Sequence, residues 1–97
     1  MGQLLYGPHR REITLDDRLL SHLEVAILTK LRRQEAFAFT WQDDTGAGRH
    51  TIWIYPAIPL EFAYSRSAPS DLNGAWVEQL VASANRGNMH VAPEPDA

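Results

Sequence analysis

The sequence has no cysteine and a single lysine, Lys30, among its 97 residues. The lack of cysteine excludes disulfides, thiol catalysis and cysteine-ligated zinc. No apolar run approaches the length of a membrane span, and the N-terminal residues do not have the basic start and long apolar stretch of a signal peptide. These absences predict a cytoplasmic protein that does not use a membrane as a partner.

Motifs of known chemistry are also missing. The chain has no phosphate-binding loop, no G-x-S-x-G motif and no G-x-G-x-x-G motif. The histidines lie on different segments without the spacing of a metal site; they are His9, His22, His50 and His90. We therefore predict no catalytic set, no metal site and no cofactor.

The composition is that of an ordinary globular domain, with 44% hydrophobic and 22% charged residues. The net charge of -3 argues against broad nonspecific binding to nucleic acid or to an anionic membrane. We predict one domain over residues 1–91. Residues 92–97 hold two prolines and two acids, which predicts a mobile acidic tail.

The most strongly marked element is a helix over residues 16–33. Asp16 or Asp17 can cap its first turn, because a short carboxylate accepts from free backbone N–H groups and favours the positive end of the helix dipole. Leucines and Ile27 recur at the spacing of one helical face, which predicts packing onto a sheet. A second helix, capped by Ser70 or Asp71 and ended by Gly87, is predicted to carry an apolar side of Leu72, Trp76, Val77, Leu80 and Ala84.

Short runs rich in aromatic and β-branched residues predict the strands. They cover residues 3–6, 12–15, 36–41, 49–55 and 60–65, with a sixth at 89–91. Turn residues separate them: a Gly-Pro turn, the Asp- and Gly-containing segment 42–48, the proline corner 56–59 and a loop at 67–70. The predicted fold class is α+β, in the order β-β-α-β-β-β-α(-β), with a single antiparallel sheet and both helices packed on one face.

Alternation along residues 49–55 leaves the position of two aromatic side chains open. If Ile52 and Ile54 face the helices, Trp53 and Tyr55 lie on the open face of the sheet, beside Thr40 and Ala63. The Trp53 side chain can have one of three roles: burial in the core, contact in a dimer, or stacking of a nucleic-acid base.

Glu24 falls on the border of the apolar stripe of the first helix, where a carboxylate needs a partner. It either leans outward to meet an arginine or water, or it is a partly buried acid with a raised pKa and a candidate site residue. The basic residues at the end of this helix complement the helix dipole, and they are also candidates for binding. The candidate binding surface is Lys30, Arg32, Arg33, Arg49, Trp53 and Tyr55.

Several motifs distributed over nearly the whole chain carry a resemblance to a known family. They are Leu5-Tyr6-Gly7, Asp16-Asp17-Arg18, His22-Leu23, Thr29-Lys30-Leu31-Arg32-Arg33, Gly48-Arg49, Trp53, Pro56-Ala57-Ile58-Pro59-Leu60, Trp76-Val77-Glu78, Ser83-Ala84-Asn85 and Pro93-Glu94-Pro95. With these motifs the chain resembles short, single-domain actinobacterial proteins of unknown function, many of which carry the automatic name "ATP-dependent DNA ligase". Glu24 departs from the lysine expected in that family.

The chemistry of a ligase does not fit these residues. An ATP-dependent ligase forms an adenylate on the lysine of a Lys-x-Asp-Gly motif, whereas Lys30 is followed by Leu31-Arg32-Arg33. The leading hypothesis is a non-catalytic module that binds a protein partner or associates with itself through an edge strand or the open sheet face. The alternative is a nucleic-acid-associated accessory domain without ligase activity. A small enzyme using Glu24 or a histidine as acid or base is the third hypothesis.

Overall fold

The computed structural model describes residues 1–43, 45–66 and 71–96. The elements in chain order are β1 (Gly2–Tyr6), β2 (Arg11–Leu15), α1 (Asp17–Arg32), β3 (Phe37–Gln42), β4 (Arg49–Ile54), β5 (Leu60–Ala63), α2 (Gly74–Asn85) and β6 (Asn88–His90). The predicted α+β order is confirmed, including the short sixth strand. The loop predicted at 67–70 lies outside the described residues, as does Asp44 of the predicted turn 42–48.

Helix α1 forms as its sequence predicts. The Asp16 carboxylate accepts from the backbone N–H groups of Arg18 and Leu19, and Arg33 is the C-terminal cap. The leucine stripe is buried, with Leu20, Leu23 and Ile27 inaccessible to solvent. Burying side chains of this size stabilises the fold by about 1.5–3 kcal/mol each relative to exposure. This packing stabilises α1 more than its intrinsic helix propensity does.

The strands form two sheets, so the prediction of a single antiparallel sheet is wrong. One sheet has the order β2-β1-β5 and is antiparallel, and the other has the order β4-β3-β6, with β6 parallel to β3. The two prolines of segment 56–59 cannot donate to a ladder, and the turn there is closed by the Ile58 N–H on the Tyr55 carbonyl. The chain thereby leaves β4, and β5 pairs with β1 instead.

Each helix lies against a different sheet. Helix α1 contacts β1, helix α2 contacts β3 and β6, and the two helices contact each other. The sheets approach each other where the Tyr6 hydroxyl donates to the Trp53 carbonyl oxygen at 2.6 Å. Their inner faces and the helices enclose one core, whose largest fully buried apolar side chains are Phe37, Phe39, Leu4, Leu20, Leu23, Ile27, Ile54, Leu80 and Met89.

Helix α2 begins later than the sequence predicts. Its N-terminal cap is Asn73, whose side-chain oxygen accepts from the Ala75 N–H. The predicted cap at Asp71 is wrong, and Ser70 lies outside the described residues. Leu72 precedes the helix and is 53% exposed, so it does not join the apolar side. The predicted left-handed Gly87 after the helix is confirmed by its φ of +107°.

The segment after β6 packs against both helices. The Trp76 indole N–H donates to the Ala92 carbonyl, and the Asn73 amide donates to the Pro95 carbonyl. The domain boundary at residue 91 and the mobile tail stay predictions. None of the helices in the described part of the chain has the length and apolar character needed to cross a membrane.

Candidate interaction surface

The outer face of the second sheet carries the most exposed aromatic side chain. Ile52 and Ile54 are buried on the inner face, whereas Trp53 is 55% and Tyr55 37% exposed. Because side chains alternate along a strand, Trp53 must point outward once Ile52 and Ile54 face the core. The structure therefore excludes burial of Trp53 in the core of the monomer.

The neighbours of Trp53 on this outer face follow from strand register. Trp53 lies opposite Ala38, Thr51 opposite Thr40, and Arg49 opposite Gln42. The Thr40 hydroxyl pairs with the Thr51 hydroxyl at 2.8 Å and donates to the side-chain oxygen of Asn88 at 2.9 Å. Ala63, which was predicted to lie beside Trp53, belongs to the other sheet. The outer face thus combines one large ring, small polar groups and one guanidinium.

The structure separates the six residues of the predicted binding surface. Lys30 is buried, with its ammonium donating to the Asn85 side-chain oxygen and 2.8 Å from the Glu35 carboxylate. It ties the end of α1 to α2, so it is not available to an outside ligand. Arg32 and Arg33 are exposed at the end of α1. Arg49 and Trp53 share the outer face of β4, and the exposed Tyr55 directly follows this strand.

Glu24 is half-buried and has a neutral partner. Its carboxylate accepts from the Tyr64 hydroxyl at 2.7 Å. Burial, followed by this hydrogen bond, raises the pKa of Tyr64 above its ordinary value of 10.0, so the phenol remains a donor at neutral pH. Neither an arginine nor a second acid forms this contact, and the arrangement fixes β5 against α1.

A groove beside Glu24 was not predicted. It has a volume of about 480 Å³ and lies between α1 and β5. Half-buried apolar residues line most of it; they are Leu28, Leu31, Ile58, Leu60 and Phe62, with Pro56, Arg32, Glu24 and Glu61 at its margins. In the sequence, the sign of this groove was the position of Leu28 and Leu31 at the border of the leucine stripe. The apolar wall that faces them comes from β5.

His22 has a structural role that sequence reasoning also missed. Its ring is completely buried, Nδ1 lies 2.7 Å from the Arg18 carbonyl oxygen, and Nε2 accepts from the Asn73 N–H at 2.8 Å. These partners define the neutral tautomer with the proton on Nδ1. The ring also packs on Trp76 at 4.6 Å between centroids. His22 occupies a position three residues after Leu19 and four before Ala26, which is the spacing of the buried face.

A second histidine lies beside an acidic side chain. His50 lies 3.7 Å from the Asp43 carboxylate, while Asp43 itself accepts from Thr45 and Gly48 in its turn. These hydrogen bonds lower the pKa of Asp43, with the Thr45 hydroxyl as the largest cause. Among residues 1–43, 45–66 and 71–96, no three His, Asp or Glu side chains converge in the manner of a metal site.

Arg18 and Glu94 form a bidentate ion pair between α1 and the C-terminal segment. Arg18 Nε and Nη2 each lie 2.7 Å from a Glu94 oxygen, and the Asn73 amide donates to the same carboxylate at 3.0 Å. The Arg18 bond first, and then the Asn73 bond, lower the pKa of Glu94 from its ordinary value of 4.5 to about 2.

We expect Glu94→Gln to weaken the fold above pH 4.5 and to have little effect near pH 2. The pKa is depressed on folding, so the stabilisation is fully present above 4.5 and is lost as pH falls from 4.5 to about 2. Urea midpoints of both proteins between pH 2 and 7 measure the difference. If the difference between the two urea midpoints did not change with pH, the ionised Glu94 carboxylate would have no role in stability.

Over the residues that the structure describes, the fold and this surface define a small α+β domain with two three-stranded sheets, two helices and an exposed aromatic face. The chain belongs to the DUF7882 family, described as a domain of unknown function, which matches residues 1–94. The match covers the C-terminal segment through Glu94. Neither a curated protein nor a solved structure matches the chain.

Proposed function

We propose that this protein is a non-catalytic, cytoplasmic interaction module that associates with a second copy through the outer face of the β4-β3-β6 sheet. The observation that supports this proposal is the 55% exposure of Trp53 next to a half-exposed Tyr55. Large aromatic side chains are enriched at the centres of protein interfaces, where they bury much area with few rotatable bonds. The small polar side chains around Trp53 leave its ring accessible to a flat partner surface.

The charge of this face favours a second copy over a highly charged partner. Arg49 is the one arginine or lysine among the paired outer-face positions of β3 and β4, and the others carry neutral side chains. A two-fold interface brings the same patch together from both copies, so a nearly neutral patch avoids like-charge repulsion.

Replacing Trp53 with serine is expected to abolish self-association without unfolding the protein. The ring is 55% exposed, so the free energy of unfolding should fall by only about 1–2 kcal/mol, from the covered part of the ring and the lower strand propensity of serine. The dimer dissociation constant should rise at least ~10-fold, as for a central aromatic contact. Sedimentation velocity over a concentration series measures association, and urea unfolding measures stability.

Leu72→Ser is the matched control, because Leu72 is 53% exposed on a segment outside the sheet. It should change neither quantity. A native protein that stays monomeric up to ~1 mM, or a Trp53→Ser variant that associates normally, would count against the proposal.

A nucleic-acid-associated accessory role is the second candidate, and one observation favours it. Arg49 and Trp53 lie on the same face of β4, so a base stacked on the ring could place its phosphate near the guanidinium. Burial of Lys30 removes one cation from this hypothesis. Binding of labelled single-stranded and duplex DNA should then weaken steeply with salt and require both residues, while no binding at low salt would eliminate the role.

A further inference from the structure

The groove between α1 and β5 adjoins an unpaired strand edge. β5 is the end strand of the order β2-β1-β5, and within the described ranges no strand pairs with its other side. The walls of the groove are contributed by Leu28 and Leu31 of α1 and by Leu60 and Phe62 of β5. An apolar groove and free backbone groups therefore lie side by side.

The register with β1 shows which backbone groups of β5 are free. The Gly7 N–H donates to the Pro59 carbonyl, so this pair is a hydrogen-bonded one. Hydrogen-bonded and non-bonded pairs alternate in an antiparallel ladder. Leu60 and Phe62, opposite Tyr6 and Leu4, are then non-bonded positions whose N–H and C=O groups point away from β1. The same two residues line the groove with their side chains.

We propose that this groove binds an extended segment of a partner polypeptide, which adds to β5 as a fourth, antiparallel strand. Its backbone pairs with Leu60 and Phe62, and its alternate apolar side chains enter the groove against Leu28 and Leu31. Strand addition supplies hydrogen bonds that any sequence can make, while the groove selects apolar residues at every second position. The site is distinct from the outer face that carries Trp53.

Charge sets the direction of the bound segment. Glu24 contacts Tyr64, which follows the C-terminal end of β5. Arg32 lines the groove together with Pro56 and Ile58, which precede the N-terminal end of β5. The two charged residues are eight positions apart, or about 12 Å along a helix, and the long side chains of Arg32 and of a peptide lysine extend this reach to roughly six residues of a strand. An antiparallel segment therefore begins near Glu24 and ends near Arg32, so it should carry a basic residue first and an acidic residue last.

A second copy of β5 is a poorer occupant of this groove. Its own segment has Glu61 towards the beginning and Arg66 towards the end. An antiparallel copy that puts its own Leu60 and Phe62 into the groove would face Ile58 towards Glu24 and Arg66 towards Arg32, so it would offer no cation to Glu24 and would repel at Arg32. This order of charges therefore favours a different polypeptide.

The probe is an array of acetylated, amidated and fluorescently labelled heptapeptides of the pattern Lys-Thr-apolar-Thr-apolar-Thr-Glu, with Val, Ile, Leu or Phe at the apolar positions, so that the charged and apolar side chains share the face that enters the groove. N-methylation distinguishes strand addition from simple hydrophobic contact. Residues that point into the groove lie opposite Leu60 and Phe62, so their amides also face β5. Methylating the apolar residues should weaken binding at least ~10-fold, whereas methylating the threonines should not.

Two protein variants test the groove itself. Leu28→Glu should weaken binding at least ~10-fold, while Leu72→Glu, on an exposed leucine elsewhere, should not change it. Arg32→Glu makes both ends of the groove acidic, so it should abolish the preference for the Lys-first peptide over its Glu-first, Lys-last counterpart. Trp53→Ser should bind normally, which separates this site from the proposed self-association. Circular dichroism and urea unfolding confirm that each variant is folded.

Saturable binding with this pattern of losses supports the proposal. It is overturned if no peptide binds at up to ~1 mM, if methylation of threonine and apolar residues is equally harmful, or if folded Leu28→Glu binds normally. Self-association of the native chain that is lost in Leu28→Glu would assign the groove to a second copy and would also overturn the proposal.

Discussion

Substituting His22 with alanine is expected to lower the free energy of unfolding by about 3 kcal/mol, from the cavity left by the ring together with an unpaired buried donor. The backbone N–H of Asn73 loses its acceptor, Nε2, and this N–H belongs to the residue that caps α2. Trp76 loses the ring on which it packs. Because small domains are stable by only about 5–15 kcal/mol, the loss is a large fraction of the total.

Urea unfolding at neutral pH measures this effect through the midpoint at constant slope. His22→Gln restores an acceptor without the ring and should recover part of the loss. His9→Ala is the matched control, because His9 is exposed on the turn between β1 and β2. If His22→Ala proves as stable as His9→Ala, His22 does not hold the two helices together.

Gly2→Ala is expected to destabilise the fold by about 1–3 kcal/mol, as an overpacked core position does. A Cβ at Gly2 would lie 2.6 Å from the Asp17 carboxylate, 2.8 Å from the Ala63 carbonyl oxygen and 2.8 Å from a Leu20 methyl group. The carboxylate and the methyl group can rotate, but the carbonyl of β5 cannot move without disturbing its pairing with β1. The first strand thus needs glycine where β5 and α1 converge on it.

Gly74→Ala is the opposite case on the same chain. Gly74 begins α2, has no atom within 4 Å of an added Cβ and does not have a positive φ. Alanine there restricts the unfolded chain and should stabilise the protein by about 0.4–1 kcal/mol. Thermal or urea unfolding of the two variants should therefore shift in opposite directions. If both variants shifted the unfolding transition in the same direction and by the same amount, the lack of space around Gly2 would not explain the change in stability.

The two proposed surfaces make different demands on a partner. The outer face of the β4-β3-β6 sheet offers Trp53 to a flat, nearly neutral surface, whereas the β5 groove offers backbone groups and an apolar channel to an extended segment. The Trp53→Ser and Leu28→Glu variants separate them, because each residue contributes to only one surface. The DUF7882 family membership is compatible with both uses, since its description assigns no function.

The sequence by itself determined the features that depend on near neighbours along the chain. The Asp16 cap, the leucine stripe of α1 and the alternation of Ile52 and Ile54 with Trp53 rest on contacts within a few residues. Helical and strand periodicities are therefore readable without the fold. The position of Arg49 on the same face as Trp53 follows from the same alternation.

Only the tertiary structure decided how these elements combine. Pairing of β5 with β1 joins residues more than fifty positions apart, and the sequence of β5 does not distinguish β1 from β4 as its neighbour. Burial of Lys30 likewise depends on Asn85, and the role of His22 depends on Asn73. The groove exists because α1 and β5 present apolar sides to each other with one strand edge unpaired. Long-range partners select one arrangement among several that local pattern allows, so the groove and the roles of Lys30 and His22 could be seen only in the folded chain.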